Sequence, residues 1–185
     1  TAVAVTPDVS KLVSMDLKGA GHSVLIVGET RDELLGSMLC DVTRASGGSA
    51  PTVDLKTAPA VHRAMHAAMQ TGAVLACHDL SEGGLAVAAA ESAFAGEVGL
   101  TLDLATVPGA GELDARSLLF SETPTRWILE VETGQVDAVK AALGSTPHAV
   151  IGETTQEQIL RVTHQGATVL ERELGQLAGL GWWGK

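Results

Sequence analysis

Aromatic and basic side chains are both scarce in this chain of 185 residues. It carries two Phe, three Trp and no Tyr, and its 12 Lys and Arg face 22 Asp and Glu, a net charge of −10. So few rings leave little for stacking on bases. No basic stripe exists to neutralise phosphates, which excludes a general nucleic-acid binder. Two cysteines, Cys40 and Cys77, are too few for a disulfide framework or a four-cysteine metal site. No apolar run reaches the roughly 20 residues a membrane-crossing helix needs, and the N-terminus lacks a basic-then-apolar leader. A reducing, cytoplasmic location with no membrane or nucleic-acid partner is the expectation. The chain starts at Thr1 and ends in Gly181-Trp182-Trp183-Gly184-Lys185. Both ends read as cut, so residues 1–185 are expected to be one domain taken from a longer multidomain protein.

What is present is aliphatic. A hydrophobic share of 45% against 18% charged residues suits a compact globule with a core of Ala, Val and Leu. Periodicity and punctuation predict alternating strands and helices. Lys11–Leu17 and Ser23–Val27 read as strands split by Gly19-Ala20-Gly21. Arg31–Val42 reads as a helix start interrupted by Gly36, and Thr43–Pro51 as a loop. Ala60–Gln70 is the clearest helix, with Val61, Ala64, Met65, Ala68 and Met69 on one face. Ala73–Cys77 then reads as a buried strand. Gly83–Phe94 reads as an Ala-rich helix with almost no polar face. Leu100–Leu104, Trp127–Val131, Ala149–Ile151 and Gln158–Val162 read as strands, and Gln135–Leu143 and Ala167–Ala178 as helices. The pattern predicts an α/β (α+β) domain, a mixed sheet flanked by helices.

Two turns carry candidate chemistry. In Cys77-His78-Asp79-Leu80-Ser81-Glu82-Gly83-Gly84-Leu85, a strand runs through a polar turn into a helix. Helix-start amides there suit an anion, Ser81 or Asp79 is placed to cap the helix, and Gly83 and Gly84 permit close approach. A capped helix packed tightly on the sheet explains the same residues. In Leu119-Phe120-Ser121-Glu122-Thr123-Pro124-Thr125-Arg126-Trp127, Glu122 is placed to orient a ligand and Arg126 to hold a carboxylate or phosphate. A Glu122–Arg126 ion pair fixing the turn explains that segment equally well. His62 and His66 have metal-compatible spacing, with Cys77 and His78 as spatial candidates. They lie on the shoulder of an apolar face with no acidic ligand nearby, and the reading is no metal site. No G-x-S-x-G, P-loop or G-x-G-x-x-G occurs.

The His78-to-Leu85 segment, continuing Ala86-Val87-Ala88 and then Ala90-Glu91, resembles the HD-x-S-[DE]-GG-LAVALAE signature of the aminoimidazole ribonucleotide (AIR) synthetase superfamily. Within it, the chain resembles the phosphoribosylformylglycinamidine synthases. Asp32-Glu33-Leu34-Leu35-Gly36-Ser37 is similar to their DELGGS segment, Pro51-Thr52-Val53-Asp54-Leu55 to P-x-V-D-L, and Phe120 to Arg126 to F-[GS]-E-[SA]-x-[SG]-R. The matches keep their order over residues 10–165. The resemblance implies the fold of the C-terminal, B-type lobe, and specifically its second copy in the long synthase. It implies ATP-dependent amidation of formylglycinamide ribonucleotide by ammonia from a glutaminase subunit or domain. ATP and Mg2+ would be bound mainly by an ATP-binding lobe that precedes this one. It implies no catalytic residue within this lobe alone, and phosphate or lobe-interface contacts for His78, Asp79, Ser81, Gly83, Gly84, Glu122 and Arg126. Thr123-Pro124 stands where the first copy has a ligand-contacting Ser-Gln, and proline lacks an amide donor. The turn is therefore expected to serve an auxiliary nucleotide pocket or a lobe interface. A non-catalytic lobe of a sibling enzyme, such as AIR synthetase, selenophosphate synthetase or thiamine-phosphate kinase, is the alternative. Isolated, the lobe is expected to be inactive and, with its docking faces bare, to self-associate.

Overall fold

In the computed structural model, residues 3, 5, 6, 8–44 and 48–179 are described. Strand β1 (Ser23–Val27) is followed by α1 (Met38–Thr43), α2 (Ala58–Gln70), β2 (Val74–Asp79), α3 (Gly84–Gly96) and β3 (Gly99–Asp103). Then come α4 (Ala115–Phe120), β4 (Trp127–Val131), α5 (Val136–Leu143), β5 (His148–Thr155), β6 (Ile159–His164), β7 (Ala167–Glu173) and α6 (Leu174–Gly179). The seven strands form one sheet in the order β2-β4-β1-β5-β3-β6-β7. Every pairing is antiparallel except β3 with β6, which makes the sheet mixed.

Strand β1 explains the layering. Successive side chains of a strand point to opposite faces, and Val24, Leu25, Ile26 and Val27 are all fully buried. Val24 and Ile26 join Ala76, Leu85, Leu102 and Leu118 under α3 and α4. Leu25 and Val27 join Met65, Val74, Leu129, Val139 and Leu143 under α2 and α5. A strand covered on both faces has no polar side to show, hence its unbroken apolar run.

The two main helices differ for the same reason. Helix α2 starts with Pro59 in its first turn, where the missing amide costs nothing. It buries Ala58, Met65 and Ala68, half-buries Val61, Ala64 and Met69, and exposes its remaining side chains. Helix α3 buries Gly84, Leu85, Ala86, Ala88, Ala89, Glu91, Ser92 and Ala93, nearly all round. Fully burying Leu85 alone contributes about 1.5–3 kcal/mol.

Three expectations fail. Lys11–Leu17 is not a strand: its start lies in a 3-10 turn, Val9–Lys11, and the rest runs irregularly beside β2. There Ser14 O accepts from Cys77 N at 3.0 Å, and Leu17 N donates to Ser92 O at 3.1 Å. Buried Glu130 pins the end of this strap, accepting from Lys18 N, Gly19 N and His22 Nδ1. The helix expected over Arg31–Val42 is confined to Met38–Thr43, with Ser37 as its N-cap, because residues 31–35 hydrogen-bond to the 49–52 stretch instead. The tail expected as one helix is split into β7 and the short α6. Gln165 and Gly166 both have positive φ, the geometry of a two-residue hairpin turn, and they fold β7 back onto β6. Residues 45–47 of the expected Thr43–Pro51 loop, and both chain ends, lie outside the described residues.

Candidate functional site

The two turns flagged by sequence meet at the ends of β2 and β4, which are neighbours in the sheet. Leu80 N donates to Arg126 O at 3.0 Å, and Gly83 N to Glu122 Oε1 at 2.8 Å. Gly84 has φ +61°, and a Cβ there would lie 2.4 Å from Ser121 O and 2.9 Å from Leu119 O. Only glycine lets α3 start this close to the end of α4. Gly83 is likewise at φ +80°, with Val87 2.2 Å from an added Cβ.

A shallow cavity of about 530 Å³ opens beside the joined turns. Asp79, Ser81, Glu122 and Arg126 line it, with Glu82, Pro51, Val53, His62 and Trp127. His62 stands edge-on to Trp127, ring centroids 5.2 Å apart. Of the flagged residues, His78, Gly83 and Gly84 do not line it. Alternation along β2 sends the His78 side chain to the α3 face, where Nε2 meets Glu91 Oε2 at 2.6 Å and Nδ1 lies 3.4 Å from Asp79 Oδ1. Gly83 and Gly84 are buried just behind the rim.

Neither Ser81 nor Asp79 caps α3. Gly83 is the N-cap and receives no side-chain cap from its own turn. The negative charge at this helix start is Glu122, reaching across from the other turn. Nor does Glu122 pair with Arg126. The guanidinium, 1% exposed, donates through Nε to Thr123 O at 2.9 Å, through Nη1 to Thr30 Oγ1 at 3.0 Å and through Nη2 to Ser121 O. Burial lowers its pKa to about 10, with the nearby Glu33 charge opposing that shift. These donors hold two carbonyls of its own turn and the hydroxyl of Thr30.

Sequence reading missed Glu33, a carboxylate only 4% exposed. It accepts from Thr52 N and Oγ1 and from Arg31 Nη2. Burial raises its pKa, but hydrogen bonds from Thr123, Thr52 and Arg31 outweigh this and hold it below the usual carboxylate value. It sits in the DELGGS-like segment, but the Thr52 that helps to satisfy it lies 19 residues on, so sequence did not single it out. Glu91 did carry a signal: it is the one charged residue of α3, and a carboxylate in a buried helix needs a partner. Cys77 is half-buried beside Asp79, and desolvation, with the Asp79 charge adding to it, pushes its thiol pKa up to about 12, which leaves it a weak nucleophile and metal ligand. Among the described residues no three His, Cys, Asp or Glu side chains converge as a metal ion requires. No helix among them is long and apolar enough to cross a membrane.

Comparison with known proteins agrees with this architecture. Residues 19–165 match the family of AIR synthase related proteins, C-terminal domain. The phosphoribosylformylglycinamidine synthase subunit PurL of Thermococcus sibiricus is 33% identical over 169 residues, which cover 91% of this chain and 23% of that protein. Among solved structures, Thermotoga maritima PurL complexed with FGAR superposes with a TM-score of 0.82 at 21% identity, over 92% of this chain and 30% of that one. The same protein complexed with ATP gives 0.77 at 20% identity, over 92% and 28%. This chain belongs to the AIR synthase related family, as a C-terminal domain of that type. It spans less than a third of the length of each of these relatives.

Proposed function

We propose that this chain is the closing, B-type lobe of a longer phosphoribosylformylglycinamidine synthase. The whole enzyme would convert formylglycinamide ribonucleotide and glutamine-derived ammonia into formylglycinamidine ribonucleotide, with ATP consumed. The reading is carried by one juxtaposition: the two signature-bearing turns, Asp79–Gly84 and Phe120–Arg126, are locked together at the edge of a single open cavity.

The lobe's residues do not fit a nucleotide cradle. The Gly83 amide and the Arg126 guanidinium, the groups suited to a phosphate, are already hydrogen-bonded within the lobe. Asp79, Glu82 and Glu122 add negative charge to the cavity wall. ATP and Mg2+ are therefore assigned mainly to a companion lobe outside residues 1–185, and no catalytic group to this one. Exposed Asp79 and Ser81 serve as contacts to that companion. Gly83 and Gly84 allow the close packing behind them, Glu122 and Arg126 orient the turn, and His78 braces β2 on α3 through Glu91. A glutaminase subunit or domain would supply the ammonia, and the location would be cytoplasmic.

The test is complementation of a purine auxotroph by the complete polypeptide. Growth is expected, no growth from residues 1–185 alone, and a steep loss of turnover in the complete polypeptide with Gly83→Val. Failure of the complete polypeptide to complement, although folded and expressed, overturns the reading.

A further inference from the structure

A second cavity, of about 250 Å³, lies along α3. Ala86, Ala90, Glu91 and Phe94 of that helix line it, with Phe120 at the end of α4, Leu177 of α6 and aliphatic side chains of β6 and β7. The space exists because Ala86 and Ala90 present only methyl groups where α6 packs on the helix. Ala90, Phe94, Phe120 and Leu177 are half-buried, so the cavity has a mouth at the surface. Glu91 is the one polar side chain on its wall, and it is only 9% exposed. Its Oε2 meets His78 Nε2 at 2.6 Å, whereas among the described residues no donor reaches Oε1. A carboxylate oxygen in apolar surroundings is costly to leave without a donor. Water is a poor remedy, since an ordered buried water takes about 2–4 polar partners and this wall offers one.

We propose that this cavity is a binding site for a small, flat aromatic ring system of indole size that carries a ring N–H donor and no negative charge. The proposal does not rest on the synthase reading. Size sets the ring count: an apolar cavity of roughly 150 Å³ takes a single benzene ring, and about 250 Å³ admits a fused pair. Phe94, Phe120 and the surrounding aliphatic groups match the faces and edges of such a ligand. Its N–H would donate to Glu91 Oε1, and hydrogen bonds to an ionised acceptor are the stronger kind. No Lys or Arg lines the cavity, so a phosphate or carboxylate would meet only the charge of Glu91 and be repelled. Nucleotides are thereby excluded from it. The site adjoins both signature segments, since Phe120 opens the second turn and Glu91 holds His78 of the first.

Calorimetric titration of the full chain, residues 1–185, with indole as the probe tests this. Benzofuran, which has the same shape but no N–H, and indoleacetate, which adds a carboxylate, are titrated beside it. Saturable binding of indole is expected, with benzofuran about tenfold weaker for want of the hydrogen bond to a charged acceptor. Indoleacetate should also bind more weakly than indole. Ala90→Leu, which fills the cavity, is expected to abolish binding without lowering the melting temperature. Leu177→Phe blocks the same space from α6 and serves if Ala90→Leu does not fold. Equal affinities for indole and benzofuran overturn the role of Glu91 and with it the ligand class. No saturable binding by the folded chain, or binding that survives the filling substitutions, overturns the site itself. Binding that appears only after Trp182→Ala and Trp183→Ala assigns the cavity to an indole of this chain and overturns a site for a free ligand.

Discussion

One carboxylate oxygen, Oε1 of Glu122, accepts hydrogen bonds from the amides of both Gly83 and Met38, each at 2.8 Å. Gly83 precedes α3 and Met38 opens α1, so a single side chain answers the positive ends of two helices. It also ties the signature turn to the start of α1. Replacing Glu122 by Ala leaves two amides without that partner and should cost about 1–3 kcal/mol, whereas Gln keeps an acceptor and should cost less. Urea unfolding of the two variants at pH 7 measures the difference. Equal losses would mean that the acceptor is not what matters.

The glycines divide into those with room for a side chain and those without. Gly72 has φ +72° and nothing within 4 Å of an added Cβ, while Gly84 has φ +61° and backbone oxygens at 2.4 and 2.9 Å. Gly72→Ala should cost about 1–2 kcal/mol, the left-handed strain by itself. Gly84→Ala carries the same strain plus a collision with backbone, and should lower the melting temperature clearly further. Similar melting temperatures for the two variants would contradict the close approach of α3 to the end of α4.

Arg126 is buried, and its guanidinium hydrogen-bonds within the protein. Lys at this position retains the charge but cannot reach Thr123 O, Ser121 O and Thr30 Oγ1 together. Arg126→Lys should destabilise the chain by about 2–4 kcal/mol, through carbonyls and a hydroxyl left unpaired in the interior. Calorimetric unfolding checks it, and a loss within 0.5 kcal/mol, typical of surface substitutions at about that size, would return Arg126 to the list of ligand contacts.

Acid should loosen the contacts of Glu33 with Thr52 and Arg31. Glu33 has a folded-state pKa below its ordinary 4.5, because hydrogen bonds from Thr123, Thr52 and Arg31 outweigh the opposing effect of burial. A lowered carboxylate pKa means the ionised form is preferred when folded. Its stabilisation is complete above about pH 4.5 and disappears as pH falls through the lower folded value. Unfolding free energy measured from pH 6 downward should fall less steeply in Glu33→Gln than in the parent chain.

The thiols offer a simple probe of burial. With its pKa near 12, Cys77 should resist iodoacetamide at pH 8 while the chain is folded and react once urea exposes it. Mass spectrometry of the peptide containing Cys77 reads both states. Rapid labelling of the folded chain would contradict the seating of β2 against α2.

How much of this was legible beforehand follows from where each signal lies in the chain. β1 and α2 were plain, because a short β-branched apolar run and helical periodicity are both local signals and buried faces must be apolar. The Asp79–Gly84 and Phe120–Arg126 turns were legible as resemblances, carried by residues adjacent in sequence. β7 was misread because Glu171, Arg172 and Glu173 favour helix by composition, whereas the Gln165-Gly166 turn and pairing with β6 make it a strand. Residues 11–17 were misread as a strand because what this stretch hydrogen-bonds, Cys77 and Ser92, lies far along the chain.

By itself, then, the order of residues determined the layered α/β class, the two-sided burial of the sheet's centre and the family's turns, since each depends on neighbours a few positions apart. The tertiary structure alone decided that Glu122 caps α3, that Arg126 serves its own turn, that His78 faces Glu91, and that aliphatic side chains between residues 35 and 55 are left in water. Those outcomes depend on which distant groups satisfy a buried donor or charge first, and that competition is settled only when the elements pack.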